Sequence, residues 1–177
     1  MKRKRILLWS LVAAVLAFSS VDIGLAFQNE PEGFRGLKWG DPPTKEMRFI
    51  RCDKYGQSLY DLPDEKLQIG DAEILHVTYC FFNDRDVEKL MRVFVYFEGE
   101  NNFKILETIC NAKFDKPSQE EYQKLIWASP KTIVILSYDR SYGKLGDGIL
   151  LLDYVPISDA YHKAKEQKQV EEAEKDW

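Results

Sequence analysis

The sequence predicts an α+β domain: a mostly antiparallel sheet with one main helix packed on one face, followed by a charged C-terminal helix. Three observations support this prediction. Several segments show the alternation of period two that is typical of strands, and short polar connections join them. One segment repeats its apolar residues every three to four positions, as an amphipathic helix does. Strands with short connections and a helix between groups of them indicate the α+β class.

The first element of the domain is the stretch F-R-G-L-K-W-G, which begins at Phe34. Its apolar side chains are spaced like a short extended clip, and its last glycine permits a sharp reversal of the chain. The glycine spacing matches neither common phosphate-binding pattern, so we interpret the stretch as a clip that starts the fold. Asp41 and Pro42 follow in the order of a helix N-cap and a first helical residue, so we expect a short helix through Glu46, Met47 and Ile50.

Five later segments are rich in β-branched and aromatic residues and contain no proline, which predicts strands. They comprise residues 73–82, 90–99, 122–128, 132–138 and 149–154. One or two brief strands are expected within residues 55–67. Residues 100–114 form the predicted main helix, whose apolar stripe includes Phe103 and Phe114. Residues 157–177 are predicted to be an exposed helix, because this charged tail has few apolar anchors for packing.

Alternation within the two longest predicted strands separates the two faces of the sheet. The face expected to lie under the main helix carries Leu75, Val77, Tyr79 and Phe81 of the first strand and Met91, Val93, Val95 and Phe97 of the second. The other face mixes aromatic with polar residues, and aromatic side chains are enriched at interface hot spots, so we take this mixed face as the candidate partner-binding surface. Its candidate residues are Phe82, Phe94, Tyr96 and Trp127. The alternative is that the C-terminal helix or the clip simply covers them.

The N-terminal residues predict export. A basic cluster at residues 2–5 precedes an apolar run over residues 6–18, and Gly24 and Ala26 supply the small residues of a cleavage site. Residues 1–26 are therefore predicted to be a signal peptide. The alternative is an uncleaved membrane anchor, against which Asp22 is a costly residue in hydrocarbon. Either way the positive-inside rule places the body outside the cytoplasm, in the periplasm or the medium.

The charge balance bears on the class of partner. The chain carries 25 basic and 29 acidic side chains, and removal of residues 1–26 leaves 21 against 28, a net charge of −7. The sequence therefore offers no basic face for nucleic acid. Residues 27–156 form the predicted α+β domain. Its expected partner is a protein or another envelope component, with a membrane involved only if the leader is retained.

The sequence predicts no catalytic, cofactor-binding or metal-ligating residue. His76 and Cys80 share a strand face but lie about 13 Å apart at ~3.3 Å per residue, too far for a nucleophile and its base. The acidic residues between Asp139 and Asp153 leave open a hydrolase or carbohydrate-acting enzyme, which would need two carboxylates about 5–9.5 Å apart. No cysteine lies in a C-x-x-C pair, and Cys52–Cys80 is the candidate disulfide.

The F-x-G-x-x-W-G opening, the Y-x-F strand at Tyr79 and the helix that begins near Asn101 resemble a group of small exported bacterial proteins of unknown function. The resemblance covers residues 34–152, and it implies an envelope domain without catalytic residues. In layout the chain is also similar to small envelope lipoproteins of the outer-membrane assembly type, although it lacks their lipidated cysteine. The leading prediction is an exported, non-enzymatic binding module. An anchored structural protein with a self-associating coiled-coil tail is a further alternative.

Overall fold

The structure is a computed structural model that describes residues 29–139 and 146–175. The predicted signal peptide, most of the glycine-rich loop before residue 146 and the last two residues lie outside the described residues. The described part is mostly antiparallel sheet with two helices. Neither of these two helices is both long enough and apolar enough to cross a membrane.

The described residues contain twelve strands and two helices. In chain order they are β1 (Gly33–Phe34), β2 (Leu37–Lys38), β3 (Arg48–Cys52), β4 (Gln57–Asp61), β5 (Gln68–Ile69), β6 (Ala72–Glu73), β7 (His76–Asp84), β8 (Val87–Phe97), α1 (Glu100–Phe114), β9 (Gln119–Glu121), β10 (Lys124–Ala128), β11 (Thr132–Tyr138), β12 (Gly148–Tyr154) and α2 (Val155–Glu174). Eight strands form one antiparallel sheet in the order β3-β4-β7-β8-β12-β11-β10-β9, and β1-β2 and β5-β6 are separate small hairpins.

The five predicted strands and the predicted helix over residues 100–114 are confirmed, and β4 lies within the segment where brief strands were expected. The prediction of a short helix after Asp41 was wrong. The Asp41 carboxylate accepts a hydrogen bond at 2.8 Å from the amide of Lys38, so it does not cap a following helix. The Asp41 carbonyl instead accepts from the Leu90 amide at 2.8 Å, and the chain continues through a turn into β3.

The opening stretch is a clip in the structure. The Phe34 ring lies 6.2 Å from that of Tyr79, and Trp39 stacks on Tyr154 with ring centroids 5.9 Å apart. The two glycines of the motif, Gly36 and Gly40, have φ angles of 86° and 87°, which favour glycine over any residue with a Cβ. The aromatic residues therefore anchor the clip to the sheet, and the glycines provide its turns.

The core lies between one face of the sheet and α1. The buried helix residues are Phe103, Leu106, Cys110 and Phe114, which belong to the same hydrophobic cluster as Val77, Tyr79 and Phe81. The predicted core face is thus correct for these strand residues. Leu75 and Met91 are the exceptions among the residues predicted for this face. Leu75 precedes β7 and is 47% exposed. A β-bulge between Cys80 and Phe81 shifts the register and turns the Met91 side chain to the other face.

The C-terminal helix differs from the exposed tail that the sequence predicts. It begins at Val155, directly after β12, and its first turns pack on the sheet face opposite α1. Tyr161 is 5% exposed and lies edge-on to Phe82, with ring centroids 5.8 Å apart. Beyond Ala164 the helix is exposed and charged, as expected. The sheet therefore carries a helix on each face.

Candidate functional site

The part of the second face that lies beside α2 carries a row of side chains across five strands, of which four are apolar and the fifth is the buried Thr78. Antiparallel pairing places Ile126, Ile135, Leu151, Phe94 and Thr78 side by side, because directly paired residues point to the same face. The row spans about 19 Å at the usual strand spacing of ~4.8 Å. The first four of these side chains are only half-buried. Strand pairing thus builds a continuous apolar surface.

Aromatic contacts extend this surface along β8. The ring of Tyr96 lies 6.1 Å from that of Phe94 and 6.3 Å from that of His76 on β7, and both pairs are stacked. Offset stacking of this kind fixes the orientation of the rings. We use the name open face for the surface formed by Phe94, Tyr96, Ile126, Ile135 and Leu151.

Charged side chains border the open face on two sides. On one side Arg92 bonds Asp153 at 2.8 Å and the Ser158 hydroxyl at 2.8 Å, which ties the first turn of α2 to β8 and β12. On the other side Lys124 of β10 pairs in register with Glu121 of β9. An apolar centre with a polar rim is the usual anatomy of a protein–protein interface.

Two of the four candidate partner-binding residues lie on this surface. Phe94 and Tyr96 are where the alternation pattern places them. Phe82 is 6% exposed under Tyr161, so the C-terminal helix covers it. The placement of Trp127 on the mixed face was wrong. Trp127 is fully buried against Phe114 on the α1 side, and its indole donates a hydrogen bond to the Asp115 carbonyl at 2.9 Å.

The predicted Cys52–Cys80 disulfide was wrong, and all three cysteines are free thiols. Strand β4 lies between β3 and β7, so the two residues are about 10 Å apart, beyond the ~7 Å that a disulfide spans. Burial raises the pKa of the Cys80 thiol to about 12 and that of Cys110 to about 12. Both are protonated thiols at neutral pH, so neither is a ready nucleophile.

The acidic residues proposed for an enzyme do not all meet. Asp153 is ion-paired with Arg92 at the end of β12 that leads into α2, whereas Asp147 precedes the other end of that strand. Six residue steps along the strand, at ~3.3 Å each, separate the two by about 20 Å. Across residues 29–139 and 146–175, no three His, Cys, Asp or Glu side chains form a group that could hold a metal ion.

Sequence reasoning missed the contribution of β10, β11 and β12 to the open face. The signal was present, because T-I-V-I-L-S-Y and G-I-L-L-L-D-Y are nearly continuous apolar runs and not alternating ones. Such runs indicate strands with apolar residues on both faces. The structure thus defines an α+β domain, a mostly antiparallel sheet with two helices whose buried apolar residues belong to different hydrophobic clusters. Comparison of the chain with protein-family models, with curated proteins and with solved structures found no match in any of the three.

Proposed function

We propose that the protein is an exported, non-enzymatic binding module that takes a protein partner on the open face of its sheet. The observation that carries this proposal is the row of half-buried apolar residues across β10, β11, β12 and β8, with the Arg92–Asp153 pair on one side and the Lys124–Glu121 pair on the other. In this account α1 is the main structural helix of the core face, and α2 sets one border of the binding surface.

A protein partner suits the open face better than a small ligand does. The surface extends across four strands, about 14 Å at the usual strand spacing of ~4.8 Å, and an apolar sheet surface of this kind matches the helix or sheet face of another protein. The Arg92–Asp153 pair and Lys124 supply charges of both signs at the rim. Polar groups at the edge of a partner can pair with these charges, which compensates for the water that both lose on binding. The basic and apolar leader supports export, and the resemblance to small exported bacterial proteins is part of the same proposal.

Capture from native envelope extract tests the proposal. We expect Phe94→Ala and Tyr96→Ala each to reduce recovery of the partner at least tenfold, because central aromatic residues are typical hot spots. Tyr122→Ala is the matched control, since Tyr122 is 91% exposed and lies outside the open face. Circular dichroism is the check that each variant keeps the fold. Equal recovery by all three variants would count against the open face as the binding surface.

The geometry removes Asp153 from the enzyme alternative, whereas the amide of Asp139 donates to the Asp147 carbonyl at 2.7 Å, so these two residues lie side by side. Asp153 is held by Arg92 beneath α2, and an enzyme of the glycosidase type needs two carboxylates within about 9.5 Å in one cleft. The alternative of an anchored structural protein depends on residues 1–26. The mass of the native protein decides it, because an intact leader would leave these residues attached.

A further inference from the structure

A second candidate site lies on the opposite side of the sheet from the open face. A cavity of about 390 Å³ opens between the clip, α1 and β5. Its floor is formed by Leu150 and Leu152 of β12, and its walls include Phe34 of the clip with Ile109 and Phe114 of α1. Its volume falls within the ~300–1,000 Å³ that is usual for small-molecule sites, and an apolar lining is usual as well.

The rim of this cavity is basic. Arg35, Lys66 and Lys113 line it, although the whole chain has a net charge of −4. The Arg35 guanidinium is engaged with the Glu65 carboxylate and with the Gln68 carbonyl at 2.8 Å, so it fixes the wall. Lys66 and Lys113 are exposed, and neither forms an ion pair with a carboxylate in the described part of the chain.

We propose that this cavity binds a single-chain amphiphile with an anionic head group. The apolar walls remove the chain from water, and the head group meets the two lysines at the rim. A neutral head group would gain no ion pair there, and a cationic one would be repelled. Leu150 and Leu152 point into this cavity whereas Leu151 belongs to the open face, so the inference does not depend on the proposed protein partner.

A chain-length series tests the apolar part of the site. Isothermal titration calorimetry of the full-length protein with hexanoate, heptanoate and octanoate is expected to show affinity rising about fourfold for each added methylene, because each buried methylene contributes about 0.8 kcal/mol. Affinity that does not depend on chain length would overturn the proposal, since the tail would then remain in water.

The head group is tested with charge variants of the rim. Lys66→Gln/Lys113→Gln is expected to weaken octanoate binding about fivefold, as for the loss of two exposed ion pairs. Binding of 1-octanol should be unchanged in the same variant. The matched control is Lys116→Gln/Lys131→Gln, which makes the same change in net charge away from the cavity at two exposed positions. Residues 1–28 are the same in all variants, so any binding by them cancels.

Three further results would overturn the proposal. They are equal octanoate affinity in the rim variant and the control, binding of octyltrimethylammonium as tight as that of octanoate, and no binding of octanoate at millimolar concentration by equilibrium dialysis, which detects binding whatever its enthalpy. None of these results bears on the open face, because Phe94 and Tyr96 lie on the other side of the sheet. Failure of one site therefore leaves the test of the other intact.

Discussion

A hydrogen bond between Tyr161 of α2 and Asp53 ties the helix to the turn that joins β3 and β4. The Tyr161 hydroxyl donates to the Asp53 carboxylate at 2.7 Å, and the same carboxylate accepts from the amides of Tyr55 and Gln57 at 2.8 Å. Burial opposes ionisation of Asp53, but these hydrogen bonds outweigh it and lower the pKa of the carboxyl. One aspartate thus shapes the β3–β4 turn and holds α2 against the sheet.

Tyr161→Phe is expected to reduce the free energy of unfolding by about 1.5 kcal/mol at pH 7, the usual value of a hydrogen bond to a charged group. A lowered carboxyl pKa stabilises the fold above the unfolded value near 4, and this contribution is lost as the pH falls through the folded value. The difference between variant and parent should therefore shrink below pH 4. Urea unfolding at pH 7 and pH 3 measures it.

The control for this prediction is Tyr122→Phe, because Tyr122 is almost fully exposed and its hydroxyl has no hydrogen bond to Asp53. That variant should match the parent at both pH values. A constant destabilisation of Tyr161→Phe from pH 7 to pH 3 would show that the ionised Asp53 is not its partner.

The sequence predicted the sheet face of a residue correctly where one face of its strand was clearly the core face. It failed where neighbouring residues on both faces were apolar. Phe94 and Tyr96 alternate with Val93 and Val95 in a strand whose core face is plain, so their face follows from the sequence. Trp127 lies in K-L-I-W-A, where Leu125 and Ile126 are both apolar. Only pairing with β11, which sets Trp127 opposite Val134, decides its face.

The helix α2 acts in two parts. Ile157, Tyr161 and Ala164 recur at helical spacing and pack on the sheet, whereas the later contacts are exposed. Among the later contacts are an ion pair between Lys54 and Glu172 and a hydrogen bond of 3.0 Å from Lys168 to the Lys54 carbonyl. Exposed ion pairs contribute little to stability.

A chain that ends at Lys165 is expected to lose less than about 1 kcal/mol of unfolding free energy, because only exposed contacts are removed. Tyr161→Ala in the full chain should cost about 3–5 kcal/mol, as for other large buried aromatic residues. Urea unfolding compares the two. An equal loss in both variants would show that the distal half of α2 is part of the stable fold.

Element prediction failed where long-range contacts override a local signal. The Asp41–Pro42 pair is a good helix start by itself. In the structure, however, the Gly40 amide donates to the Leu90 carbonyl and the Leu90 amide donates to the Asp41 carbonyl. These bonds form at a position of β8 that β12 no longer pairs with. Likewise the three anchors of α2 follow a helical period but lie among charged residues. These three residues are wholly or partly buried because they pack on strands that are distant in the sequence, so the sequence of the helix alone does not predict their burial.

At the scale of the molecule, the two faces of the sheet differ in how completely they are covered. The α1 side holds the main core together with a basic-rimmed cavity, and the α2 side is covered only at one end. The resulting open face is apolar at its centre and charged at its border. This asymmetry is the basis for assigning a protein partner to the second face.

Photo-crosslinking in living cells tests this assignment most directly. A benzophenone side chain at Ile135, in the centre of the open face, is compared with the same group at Tyr122, which is exposed and outside it. We predict one discrete adduct with a second protein from position 135 only, recovered in the envelope or secreted fraction. Adducts that are equal from both positions, absent from position 135, or confined to the cytosol would contradict the account.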